Sequence, residues 1–258
     1  QLHQRASDWF AANHMPSEAI RHALAAGDID RVHQAVAGNA LAMLENAELF
    51  DVLRNFNELP SKQFSSNPWL CMAYAWAKAY ADPTTGMAEL LQKAEGVFDS
   101  VEKEPERRHL CSHLAAIKAY LAWMNGEAER ALEFVQRAME NLPEEDWAAR
   151  THVLNIQGLA LQYQGDFFEA TRSFEAALAV GKKVGRVHEL LYTSSNLAYA
   201  QLLQGHLREA FSMCQIAVYK TEEVHQSSQR FPVLAHAYAT KSNILLEWND
   251  LESAVSLA

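Results

Sequence analysis

A six-residue turn pattern recurs along the second half of the chain, and it constrains the fold more than any other feature. The copies read Gly126-Glu127-Ala128-Glu129-Arg130-Ala131, Gly165-Asp166-Phe167-Phe168-Glu169-Ala170, Gly205-His206-Leu207-Arg208-Glu209-Ala210 and Asn249-Asp250-Leu251-Glu252-Ser253-Ala254, spaced 39, 40 and 44 residues apart. A repeated supersecondary unit buries its apolar face against its neighbours, so it implies a stack. Gly or Asn ends the first helix because it tolerates a left-handed backbone. The acidic residue that follows can cap the second helix, although His206 breaks that pattern in one copy. The Ala five residues past each turn, with Ala138, Ala177 and Ala217 seven further on, lets the two helices approach closely. The expected fold is all-α: a solenoid of helix-turn-helix hairpins with a period of about 39–40 residues.

The remainder of the chain extends the pattern. Trp69 to Ala94 reads as an earlier, weaker copy with Asp82-Pro83 at the turn and Leu90, Leu91 and Ala94 on its second helix. Pro16 to Ala37 reads as a hairpin about Gly27-Asp28, with Pro16 suited to an early helix position and Ala19, Ile20, Ala23 and Leu24 forming an apolar stripe. Residues 40–59 form a further expected helix stopped by Leu59-Pro60, and the polar stretch Pro60 to Pro68 is the expected linker. The expected division is 1–60, an N-terminal helical segment, and 61–258, the repeat domain. Gln1 opens inside an amphipathic helix and Ala258 closes inside another, so the chain is expected to be cut from a longer protein and its repeat domain truncated at the C-terminus.

Composition excludes several function classes. The chain is 49% apolar, with only ten Gly and seven Pro, and is rich in Ala, Leu, Glu and Gln, which lose little side-chain freedom in a helix. Its longest apolar stretch, Trp69 to Ala81, carries Lys78 and is too short and polar to span a bilayer, so no membrane partner is expected. Cys71, Cys111 and Cys214 lie in separate helical segments without C-x-x-C spacing, which argues against a disulfide framework or a zinc site and suits a reducing cytoplasm. A net charge of −10 opposes nucleic-acid binding. His109 and His113 share a helix face without carboxylate or Cys company at ligand spacing, so no metal is expected. There is no G-x-S-x-G elbow and no phosphate loop. No catalytic residue is assigned, and the chain is expected not to be an enzyme.

Small residues eight and twenty positions into each unit, a Gly at the turn and Pro143 closing one copy resemble tetratricopeptide repeats, a resemblance that implies a right-handed superhelical solenoid. The longer period resembles the sensor domain of the maltose-regulon activator-like family, the large ATP-binding LuxR-type transcriptional regulators. Leu2-His3-Gln4-Arg5-Ala6-Ser7-Asp8-Trp9-Phe10 and Pro16-Ser17-Glu18-Ala19-Ile20 through Gly27-Asp28 are similar to the stretch that links a winged-helix region to the repeats there. Leu59-Pro60, Pro68-Trp69-Leu70 and Ala75-Trp76 match that family's run into its first repeats. The resemblance implies an ATPase module before this region and a DNA-binding helix-turn-helix after it. ATP would then belong to the missing domain, with no cofactor in this stretch. It also implies an effector-sensing role for this stretch, which would bind a small-molecule inducer or an inhibitory protein.

Tetratricopeptide helices line a concave groove with first-helix positions 2, 5, 9, 12 and 13, which share one face by helical periodicity. Counting back from each turn gives the candidate ligand-binding residues Trp69, Trp76, Tyr80, His113, Tyr120, Trp123, His152, Asn155, Tyr163, Tyr192, Tyr199, His236 and Asn243. Met72, Met124, Gln162, Ser195 and Glu247 fall on the same face. Aromatic rings with a few amides suit a small polar ligand with apolar faces, such as a sugar, nucleoside or aromatic metabolite. The face carries no Lys or Arg, which disfavours clamping of an acidic C-terminal peptide. Aromatics at these positions also pack between neighbouring helices, and a pure interaction scaffold holding a peptide or regulatory protein is the alternative. An open last helix pair would favour self-association.

Overall fold

The computed structural model describes residues 1–13, 15–28, 31–32, 68–184, 187–224 and 233–257. Among them every regular element is an α-helix. The expected helix over 40–59, the linker up to Pro68 and the division at residues 60 and 61 lie outside the described residues. Contacts group the chain into two compact units, one of residues 1–121 with 137–143 and one of residues 122–136 with 144–258.

Unit 1 contains α1 (Leu2–Ala12), α2 (Pro16–Ala25), α3 (Pro68–Ala81), α4 (Met87–Asp99) and most of α5 (Glu104–Met124). α1 and α2 form a hairpin, with Ala19, Ile20 and Ala23 buried as the apolar stripe requires. Ser7, buried on α1, donates its hydroxyl to the Ala19 carbonyl at 2.8 Å, and Arg31 pairs with both Asp8 and Asp28. α3 and α4 form the second hairpin about Asp82. The Asp82 carboxylate accepts from the Lys78 ammonium at 2.8 Å and from the Thr85 amide at 3.0 Å, which hold it well below the usual carboxylate range. Gly86 then enters α4 at φ 66°, a left-handed conformation that favours glycine.

Unit 2 takes in the end of α5, the first turns of α6 (Ala128–Asn141), and α7 (Trp147–Tyr163), α8 (Phe167–Val184), α9 (Val187–Leu203), α10 (Leu207–Val224), α11 (Val233–Glu247) and α12 (Leu251–Leu257). From α7 onward the helices pack in chain order, and α9 also contacts both α7 and α11, the nearest-neighbour arrangement of a helical solenoid. The turn residues behave as their chemistry dictates: Gly126, Gly165 and Gly205 take φ of 78°, 84° and 78°, and Asn249 is the one non-glycine with positive φ among the described residues. Asp166 and Asp250 cap their helices by accepting the amides of Glu169 and Ser253 at 3.1 and 3.2 Å. Ala131, Ala170, Ala210, Ala177 and Ala217 are all buried, as close hairpin packing demands.

Candidate functional site

In unit 1, the candidate residues of α3 and α5 come together as one aromatic seam. Trp76 is fully buried, its ring stacked on Tyr80 at 5.9 Å, and its Nε1–H donates to His113 Nδ1 at 3.3 Å. Tyr80 meets Tyr120 at 4.8 Å, while Trp69 contacts His109 and His113 at 4.9 and 6.1 Å and donates to Glu106 at 2.8 Å. His113 is only 3% exposed. These rings cement one first helix to the next, with Tyr80, His109 and Tyr120 half-buried and the others buried. Burial raises the Tyr120 phenol pKa.

The candidates of unit 2 are distributed differently. Trp123 packs, half-buried, against the small residues Ala122, Ala128, Ala131 and Ala160. Asn155 is buried, and its Nδ2 donates to the Thr151 carbonyl at 3.1 Å and to Thr193 Oγ1 at 2.9 Å. A carbonyl can only accept, so the amide orientation is fixed and Oδ1 is left as a buried acceptor with no donor among the described residues. Such an oxygen costs about 1–3 kcal/mol. Tyr199 on α9 faces His236 on α11 at 5.5 Å, with the tyrosine half-buried and the histidine more open. His152 and Tyr192 are half-buried and Asn243 is exposed. Tyr163 lies apart at the α7–α8 turn, 68% exposed, with its hydroxyl 3.1 Å from where a Cβ on Gly126 would sit.

Of the polar run Thr193-Ser194-Ser195-Asn196, all four buried on α9, sequence reasoning singled out Ser195 alone. Four small polar residues in succession inside an otherwise apolar helix were the available signal, since buried polar groups need designated partners. Cys71 and Cys214 are buried, and burial pushes their thiols up to about 11 and about 12, which leaves them without nucleophilic thiolate at neutral pH. No helix among the described residues is long and apolar enough to cross a membrane.

His236 gives a pH dependence with a definite sign. Partial withdrawal of its imidazole from water lowers its pKa from the ordinary 6.5, so the fold favours the neutral ring. As pH falls through 6.5 the unfolded chain takes up the proton first, and stability drops until the lower folded value is reached and then levels off. His236→Gln is expected to flatten the acid side of a plot of melting temperature against pH. The effect is small because the residue keeps solvent contact.

The fold and the repeat geometry define the class: an all-α solenoid of tetratricopeptide-like hairpins. The family model of the MalT-like TPR region matches residues 112–258, more than half of the chain, and the chain belongs to that family. It is 24% identical over 257 residues to the HTH-type transcriptional regulator MalT of Serratia proteamaculans (strain 568) and 23% identical over 261 residues to that of Cronobacter sakazakii (strain ATCC BAA-894). Both matches take in 100% of this chain and 28% of the relative, so the chain spans little more than a quarter of their length. Among solved structures, a signal-transduction ATPase with numerous domains and a tetratricopeptide repeat sensor from Pyrococcus horikoshii superposes with a TM-score of 0.76 at 14% identity, over 99% of this chain and 38% of that one. The apo form of RapI superposes with a TM-score of 0.57 at 13% identity, over 94% and 62%.

Proposed function

We propose that this MalT-like TPR region is the effector-sensing part of a cytoplasmic, signal-responsive transcriptional activator, and that its ligand binds on the inner first-helix face of unit 2. The observation that carries the reading is the Tyr199–His236 pair: two rings on adjacent first helices, 5.5 Å apart and still open to solvent. The equivalent rings Trp76 and His113 in unit 1 are sealed. Open aromatic faces beside amides suit a ligand with apolar faces and polar edges. Tyr192, His152 and Asn243, which retain exposure, complete the proposed surface. The match of the whole chain to MalT regulators supports the regulatory context. Sensing requires that the ligand bind one packing of the repeats better than another.

The test is a thermal melt of the protein against a panel of sugars, nucleotides and small aromatic acids, repeated with Tyr199→Ala. A ligand at ~100 times its dissociation constant stabilises by about 2.7 kcal/mol, a shift of several degrees at this size. A shift abolished by Tyr199→Ala is the expected result. A panel that leaves the melt unchanged would move the reading to the alternative, a scaffold whose groove holds a peptide or regulatory protein.

A further inference from the structure

Unit 2 exposes its large apolar side chains in an uneven way. Met124, Tyr163, Phe168, Leu203, Trp248 and Leu251 all flank the four hairpin turns, each with between 41% and 68% of its surface open. Met124, Tyr163 and Leu203 each stand two residues before the turn glycine of their own repeat. Equivalent positions in a solenoid line up, and the turns are tied in series here. Tyr163 reaches back over Gly126, Gln204 Nε2 donates to the Phe167 carbonyl at 3.0 Å and to Thr171 Oγ1 at 2.6 Å, and Trp248 packs on Phe211 with rings 5.0 Å apart. The result is an ordered edge that presents an apolar step at every repeat. Between Tyr163, Gly126 and the start of α6 it hollows into a cleft of about 630 Å³.

The charge of this edge selects its partner. From each turn through the opening of the second helix the sequence places eight carboxylates (Glu127, Glu129, Glu133, Asp166, Glu169, Glu209, Asp250 and Glu252) against three arginines. Two of those arginines, Arg130 and Arg172, are paired with Glu127 and Glu169 of their own helices at 2.8 and 2.9 Å. An acidic rim repels phosphate backbones and anionic lipid surfaces, so neither is a suitable occupant. Neighbouring packed helices lie about 8–10 Å apart, and a helix advances about 10 Å in seven residues at 1.5 Å each.

We propose that the turn edge of unit 2 is a docking surface for a basic amphipathic helix of another protein, whose apolar residues seat between Met124, Tyr163 and Leu203 while its Lys or Arg side chains face Glu129 and Glu133. The surface is separate from the Tyr199–His236 face and does not depend on whether that face senses an effector. Contact between apolar steps provides the affinity and the acidic rim the choice of partner, as in other helix-on-groove recognition.

The experiment uses two labelled synthetic helices of three heptads each, one with Leu on the apolar face and Lys elsewhere, the other with Glu in place of Lys, titrated with the full chain by fluorescence anisotropy. The Lys helix is expected to bind, more weakly as salt rises, and the Glu helix not to bind. The double variants Tyr163→Ser with Leu203→Ser, and Glu129→Lys with Glu133→Lys, are expected to keep the wild-type circular-dichroism spectrum at the temperature of the titration, although loss of the Tyr163 contact over Gly126 lowers the melt of the first. Each is expected to weaken the Lys helix at least about tenfold, or about 1.4 kcal/mol. Equal binding of both helices would overturn the proposal, and so would failure of the Lys helix to bind. Binding of the Lys helix that ignores the Tyr163 and Leu203 changes would reduce it to non-specific charge attraction, which also overturns it.

Discussion

Gly158→Ala is expected to destabilise unit 2 by about 1–3 kcal/mol, the usual cost of forcing one methyl group into a filled core. A Cβ at this position would lie 2.5 to 2.7 Å from three ring atoms of Phe174, closer than carbon atoms pack. Phe174 cannot step aside, because it is fully buried among Ala170, Leu197 and Ala200, with Leu159, Leu161, Leu178 and Met213 closing around them. The next repeat solves the same packing problem the other way. Its counterpart of Gly158 is Ala198, and its counterpart of Phe174 is the smaller Cys214; both are wholly buried in one cluster. The clash is therefore a property of the pair. Thermal melts of Gly158→Ala, Phe174→Cys and the double variant are expected to give a drop of several degrees for the first and a larger one for the second. The double variant should be no less stable than Phe174→Cys alone, because the methyl group then enters the space the ring vacated. Additive losses would show that Gly158 is required for some other reason.

That pair also illustrates how far the sequence carries. Turn glycines, capping aspartates and buried alanines are dictated by local backbone conformation and by the closest approach of two helices, so Gly165, Asp166 and Ala170 announce their roles from spacing alone. The choice between Gly158 opposite Phe174 and Ala198 opposite Cys214 is visible as small residues at one position, but their partners lie on another helix and emerge only when the hairpin closes. The inner face is harder still. Helical periodicity puts Trp76, Tyr199 and their equivalents on one face without saying how near the next first helix comes. Where it comes close, as at α3 and α5, the rings are sealed into the seam; at Tyr199 and His236 they remain open. Asn155 and Thr193 are 38 residues apart, and their hydrogen bond depends on the register of α7 against α9. The apolar turn edge went unread because residues beside a glycine are ordinarily judged for capping rather than for exposure.

Trp76 separates a packing role from a binding role by experiment. Its ring is fully buried, stacked on Tyr80, and its Nε1–H supplies His113 Nδ1 with a donor. Trp76→Ala removes the largest fully buried side chain of the described residues, and truncations of this kind cost about 3–5 kcal/mol. Part of that loss comes from the cavity, and part from taking the donor away from a nitrogen buried with His113. Trp76→Phe keeps most of the apolar contact and loses the donor, so it should cost less than half as much. Denaturant unfolding followed by far-ultraviolet circular dichroism would read both, since the chain holds six tryptophans and fluorescence would mix their signals. A midpoint far below wild type for Trp76→Ala, with Trp76→Phe between, is the expected order. If Trp76→Ala instead unfolded like wild type and lost only the response to an effector, Trp76 would belong to the binding surface. The seam of unit 1 would then have to open in solution to expose its own rings to a ligand.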